Sequence, residues 1–351
     1  MVEAAPLVSV IIRSMDPPTL PRALASVAAQ DHPTIEVVLV AACGPSHRPV
    51  DASQYPFRLR FIVPERPQPR PSAANAGLDA AEGELITVLD HDDEFLPGHL
   101  SGLAHALSGA PEYGASYCNF EVYEKGKLFV TVGHAFNRFA LHEKSFIHHS
   151  AFMYRRSLLA TGIRYDTALD IHDDWDFVLQ LSEKTPFRYV DQATFRWHAD
   201  IGMSGGGGEG NFDSAKYSTQ HNYVHNKWAA VFAAHVERWN EVVDRGMSAL
   251  QDGNLDEADR NLREALADAE NDPDVLNGLA MIAYRRRDYA RAKESARRAI
   301  GARAGDARLW FNYGLACAAA GEKGEAKSAF ERVRAIEPAH AQAGQWLARL
   351  A

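Results

Sequence analysis

Three aspartates fall within four positions in LITVLDHDD, residues 85–93, where a run of apolar and β-branched residues ends. Asp90 and Asp92 are two apart, so in a continuing strand they share one face. Crowded carboxylates repel one another unless a cation sits among them. Oxygen donors of this kind suit a hard ion, Mg²⁺ or Mn²⁺, with waters and phosphates completing its shell. The structural rival is that Asp92 or Asp93 caps a helix begun by LPGHLSGLAHAL. A second acidic group, Asp173 with Asp174, opens the helical pattern DDWDFVLQLS at residues 173–182. Acidic side chains favour a helix N-terminus whether or not they do chemistry.

The elements that must position these groups follow from periodicity. Residues 7–12 (LVSVII), 35–42 (IEVVLVAA), 58–63 (RLRFIV) and 85–90 (LITVLD) are short apolar runs and read as buried strands. Residues 19–30 place Leu20, Leu24 and Val27 on one helical face, and residues 72–81 read as a helix with Ser72 as its cap. Strands alternating with helices predict an α/β fold with a mostly parallel, Rossmann-like sheet, whose ligands gather beyond the carboxyl ends of the strands. The aspartates stand at such an end. Residues 99–107 read as a further helix, and 115–123, 127–132 and 187–197 as extended chain. The run GGGG at 205–208 suits a linker or a mobile lid beside a ligand site.

Beyond residue 213 the pattern turns helical and repeats. Ala258, Ala292 and Ala326 are spaced by 34 residues, as are Gly246, Ala280 and Gly314, and Ala265, Ala299 and Val333. The copy WFNYGLACAAAGEKGEAKSAFERVRAIEP carries Trp310, Tyr313, Gly314, Ala326, Phe330 and Pro338, and resembles the tetratricopeptide repeat. About three copies cover residues 239–338, and the last segment is expected to cap the stack. The domains are therefore expected at 1–211 and 239–351, with 212–238 as linker end and connecting helix.

The chain of 351 residues carries a formal charge of −9, which argues against a nucleic-acid partner. The excess is local: residues 1–238 hold 20 Lys and Arg against 28 Asp and Glu, residues 239–351 hold 17 against 18. Three cysteines without a CxxC pair argue against a disulfide framework or a structural zinc site. MVEAAPLVSVII lacks the basic start of a signal peptide, and no run reaches 18 apolar residues. No transmembrane segment is expected. The expected location is the cytoplasm, with peripheral contact at the inner membrane face left open.

VSVIIRSMDPPTLPRALASVAAQDHPTIEVVLV, followed by RPSAANAGLDAAEGELITVLDHDDEFLPGHL, resembles the start of a family 2 glycosyltransferase. With RRSLLATGIRYDTALDIHDDWDFVLQL and FRWHADIGMS the resemblance spans roughly residues 6–204. It implies the GT-A fold, a nucleotide-sugar donor and a DxD-type motif at Asp90-His91-Asp92. Asp90 would contact the ribose or the metal, and Asp92 would hold Mn²⁺ or Mg²⁺ under the donor diphosphate. The family's Glu-Asp pair becomes Asp173-Asp174, which points to Asp174 as the general base of an inverting transfer. His198 would ligate the metal or contact the diphosphate. Where many relatives have Pro-Thr-Tyr-Asn, this chain has Arg13-Ser14-Met15-Asp16. Ser14 would replace the threonine, and Arg13 and Arg70 would face the donor phosphates. Ala41-Ala42-Cys43 stand where relatives carry an aspartate that reads the base, so uracil recognition is not implied. On the acceptor side stand His149, Asp173 and Trp175, the last as a sugar platform or a core residue.

The expected function is a metal-dependent inverting glycosyltransferase acting on a hydroxyl of a protein, such as a bacterial surface or flagellar protein, or of a glycan. The repeats would recruit that acceptor, a protein partner or a second copy of the chain. The alternative is a non-catalytic repeat adaptor with a degenerate transferase domain. No GxGxxG directly follows a strand, which argues against a dinucleotide dehydrogenase.

Overall fold

The computed structural model describes residues 5–201 and 213–350. The glycine run at 205–208 and the expected boundary after residue 211 lie outside them. The chain divides into two units, Met1–Ala135 with Ala140–Ala229, and Phe136–Phe139 with Ala230–Ala351.

The first unit follows the order β1 (Val8–Ser14), α1 (Leu20–Ala28), β2 (Ile35–Ala41), β3 (Arg58–Ile62), α2 (Arg70–Ala80), β4 (Leu85–Val88), β5 (Glu94–Phe95), α3 (His99–Leu107), β6 (Ala115–Glu124) and β7 (Lys127–Val132). After α4 (Arg138–Glu143) come β8 (Phe152–Arg155), α5 (Asp173–Ser182), β9 (Phe187–His198) and α6 (Ser214–Gln251), whose residues to Ala229 belong to this unit. One mixed sheet runs β3-β2-β1-β4-β8-β6-β9-β5, with β7 paired to β6. β3, β2, β1 and β4 are parallel, and β8 enters antiparallel between β4 and β6. Every residue of β1 and β4 is buried, the polar Ser9, Arg13, Ser14 and Thr87 included, because both faces of a parallel sheet are covered. α1 buries Leu20, Ala23, Leu24 and Val27 on one face.

Local starts differ from the pattern reading. α2 begins at Arg70 rather than at Ser72, with Pro71 in its first turn, a position that needs no backbone N–H. α3 begins after Gly98, which takes φ +79, so the acidic tip caps nothing there. β4 stops at Val88, and Asp93 N closes a turn on Asp90 O at 3.2 Å. A turn, not the pleat of a strand, therefore brings the aspartates together.

In the second unit, α7 (Leu255–Asp268), α8 (Pro273–Arg285), α9 (Tyr289–Ala302), α10 (Ala307–Ala319), α11 (Lys323–Ile336) and α12 (Ala341–Leu350) follow the rest of α6. The side chains of Asn254, Asp272, Asp288 and Asp306 cap successive helices. The alanine column Ala258, Ala292 and Ala326 is buried throughout. Gly314 has a steric reason: a Cβ there would lie 2.8 Å from the Phe330 ring. Trp346 of α12 stacks on Phe330, with ring centroids 5.5 Å apart. Phe136–Phe139 joins this unit through buried Phe136 and the Arg138–Asp268 ion pair at 2.7 Å.

Candidate active site

β1 has β2 on one side and β4 on the other, and a crevice opens beyond such a switch point. Here a cleft of about 730 Å³ is lined by residues of the first unit alone, among them Arg13, Arg70, Asp90, Asp92, Asp93 and Asp174. The acidic turn after β4 and the first turn of α5 thus reach one space from positions more than 80 residues apart.

A buried arginine joins them. The Arg13 guanidinium donates from Nη2 to Asp90 Oδ1 at 2.9 Å and from Nη1 to Asp173 Oδ2 at 3.0 Å. Arg70 at the start of α2 approaches Asp173 Oδ1 at 3.4 Å. Burial alone would raise the Asp90 pKa, but Arg13, with His149 and Arg70, outweighs it and holds the carboxyl well below its ordinary range. Asp173, fully buried, goes the other way: its desolvation exceeds the pull of Arg70 and Arg13. Burial and then Asp90 push Asp92 up, and Asp93 is pushed further by burial, Asp92 and Asp90. The Asp92 carboxylate makes no ion pair among the described residues. Arg22 instead donates to its main-chain carbonyl.

Six of the predicted site residues have other places. Arg13, expected to face the donor phosphates, is 4% exposed with both terminal nitrogens bound to carboxylates. Ser14 is fully buried, its hydroxyl 2.8 Å from His47 Nε2 and accepting from Asp16 N, so it faces a loop and not a phosphate. His198 is turned away from the acidic tip: Nε2 lies 2.9 Å from Glu94 Oε1, and only its backbone N–H reaches Asp93. Asp90, Asp92 and His198 form no three-ligand group. The one such group among the described residues is Cys317, Glu322 and Glu325, where Lys293 already binds Glu322 and Tyr313 donates to Glu325. Trp175 is a core residue, 1% exposed, whose indole donates to Leu141 O at 2.6 Å. His149 is equally buried, with neither ring nitrogen hydrogen-bonded, and Asp173 is the partner of two arginines rather than an acceptor contact. Sequence reasoning passed over His172 and Tyr217, which also line the cleft. His172 precedes the acidic pair at φ +64, and its ring packs edge-on to Tyr217 at 4.4 Å. The spacing of residues held no signal for either.

The cation fit can be judged from the donors. Asp92 and the second oxygen of Asp90 are hard oxygen ligands at the cleft, and Asp92 stands close to like charge without a counter-ion of its own. That set suits Mg²⁺ or Mn²⁺.

Comparison with known proteins agrees with this architecture. The family model for glycosyl transferase family 2 matches residues 9–162, and the tetratricopeptide repeat model matches residues 243–307 and 277–341. The chain is 31% identical over 173 residues to the succinoglycan biosynthesis protein ExoO of Rhizobium meliloti (strain 1021), covering 45% of this chain and 50% of that one. It is 30% identical over 174 residues to the uncharacterized glycosyltransferase YwdF of Bacillus subtilis (strain 168), covering 47% and 64%. The match thus spans about half to two thirds of the length of these relatives. Among solved structures, S. aureus TarS 1–349 aligns over 94% of this chain and 91% of that one, at 14% identity and a TM-score of 0.44, too loose a likeness to bear on the fold. Residues 9–162 thus match a glycosyl transferase family 2 domain, and residues 243–341 match tetratricopeptide repeats.

Proposed function

We propose that the first unit transfers a sugar from a nucleotide-sugar donor to an acceptor hydroxyl, with inversion at the anomeric carbon. One observation carries this reading: Asp92 and Asp174 open into the same cleft, which is large enough for a donor and part of an acceptor. Asp174 takes the proton of the acceptor hydroxyl as its oxygen bonds to the anomeric carbon and the bond to the diphosphate breaks. A base placed in this way contributes about 10²–10⁴-fold. Arg70, partly exposed at the cleft, faces the diphosphate. Asp92 and the outward oxygen of Asp90 would hold a divalent cation, which when bound offsets the charge of the leaving diphosphate. Asp90 itself stays ionised under Arg13.

The repeats serve recruitment, of the acceptor, a partner protein or a second copy of the chain, on a surface of stacked helix pairs. The name of one relative places that protein in succinoglycan biosynthesis, which supports a glycan acceptor here. Among the described residues no helix is long and apolar enough to cross a membrane, and we place the protein in the cytoplasm. A panel of nucleotide sugars, incubated with Mn²⁺ or Mg²⁺ and then with EDTA, tests the reading. Release of the nucleoside diphosphate from one donor, abolished by EDTA, is the expected result. No release from any donor leaves an adaptor with an inert sheet.

A further inference from the structure

Only 4% of the Arg13 side chain is exposed, yet it meets two carboxylates from distant parts of the chain. Its terminal nitrogens diverge, one to Asp90 after β4 and the other to Asp173 in the first turn of α5. Its Nε is buried without a partner, as are both ring nitrogens of His149 and the hydroxyl of Tyr165 beside it. A buried ion bridge of this kind is a weak source of stability, because removing three charged groups from water offsets most of their attraction. Well-packed apolar side chains would hold the same elements at least as firmly. What apolar packing cannot do is fix the directions of two carboxylates.

We propose, on the transferase reading above, that Arg13 is a positioning residue: a fixed cation that locks Asp90 to the first turn of α5, so holding Asp174 in place, while withholding one Asp90 oxygen from the metal. The guanidinium is a rigid planar fork, so its two bonds set the separation of Asp90 and Asp173. Asp173 and Asp174 are consecutive in one helical turn, and fixing the first fixes the second. Asp90 Oδ1 is occupied by Nη2, so the ion is left the second Asp90 oxygen, whose charge it shares with Arg13, and relies on Asp92.

Opposite effects on metal binding and turnover follow. They are read in the full chain carrying Arg13→Met, Arg13→Lys, or Arg13→Met with Asp173→Asn. The last variant removes the cation together with one of its partners and guards against failure to fold. Mn²⁺ with inorganic pyrophosphate is titrated by calorimetry, and turnover is read as nucleoside diphosphate release. Arg13→Met is expected to bind Mn²⁺ about tenfold tighter, because a unit charge has left the site. Its turnover is expected to fall about 100-fold, the usual effect of a reacting group displaced by an ångström. Arg13→Lys keeps the charge but not the fork, so it should bind Mn²⁺ like the parent and still turn over slowly. Mn²⁺ binding and turnover falling together, or turnover unchanged in a folded Arg13→Met chain, overturns the proposal. A parent that binds no Mn²⁺ overturns the competition for Asp90. A parent that binds Mn²⁺ but releases no diphosphate from any donor refutes the transferase reading instead, and the titration still shows whether Arg13 competes with the ion.

Discussion

Asp174→Asn separates chemistry from architecture. The half-buried Asp174 lines the cleft, and its hydrogen bond is local: Oδ1 accepts from Trp175 N at 2.8 Å. The asparagine oxygen can keep that bond. What is lost structurally is a negative charge at a helix N-terminus, about 0.3–1 kcal/mol. In a unit of this size that lowers the melting temperature by about 1–4 °C. The chemical loss is larger. An amide cannot accept the acceptor's proton, so turnover should fall about 10²–10⁴-fold, or about 2.7–5.4 kcal/mol of barrier. Product formation at saturating donor measures the second quantity, and calorimetry of donor binding with Mn²⁺ guards the first. Turnover within threefold of the parent, with donor bound normally, removes Asp174 from its role. A matching fall in donor affinity would make it a binding residue and not a base.

Asp173→Ala leaves the buried Arg13 with one partner, a loss of about 3–5 kcal/mol for a broken buried pair. Scanning calorimetry should show the first unit melting about 6–20 °C lower, and a shift under about 2 °C would reject the pairing. His99 is fully buried, and burial pulls its pKa from the ordinary 6.5 down to about 3. Between those values the folded chain binds fewer protons than the unfolded chain, so stability present above pH 6.5 is lost as the pH falls. From pH 7 to 5 this group alone costs about 2 kcal/mol. Denaturant titrations at the two pH values should show a shallower loss for His99→Gln, and equal losses refute the assignment. In the second unit, Gly314→Ala drives a methyl against the fully buried Phe330, on which Trp346 stacks. Overpacking of about 1–3 kcal/mol against a helix-propensity gain of about 1 predicts a net loss of about 1 kcal/mol. A raised melting temperature would show that the ring yields.

The strands β1 to β4 and the repeat helices were legible because each is encoded by neighbours a few residues apart. LVSVII is buried on both faces wherever it lies in a parallel sheet, and Ala258, Ala292 and Ala326 sit where helices touch. The site was legible only in part, because a polar side chain takes its role from a partner elsewhere in the chain. Ser14 belongs to His47, 33 residues away, and His198 belongs to Glu94, 104 residues away. Trp175 reads as a sugar platform or a core residue, and only the carbonyl of Leu141, 34 residues away, decides for the core. Phe136–Phe139 reads as part of the first domain, and contacts far along the chain, the Arg138–Asp268 pair and the bond from Glu270 N to Phe136 O among them, place it in the second unit.

Once those partners are known, charge pairing narrows the choice among the acids. Arg13 and Arg70 face Asp90 and Asp173, two cations for two carboxylates. Asp93 is buried, accepts the backbone N–H of His198, and is pushed well above the range in which it would ionise first. Of the cleft-lining acids in the turn after β4 and the first turn of α5, Asp92 and Asp174 are left, with no ion pair to either among the described residues. An acid without a counter-charge is available, one to an incoming cation and the other to a proton. The arginines are spent on Asp90 and Asp173, and Asp92 and Asp174, the cation-holding and proton-accepting acids of the proposed transfer, are left without one.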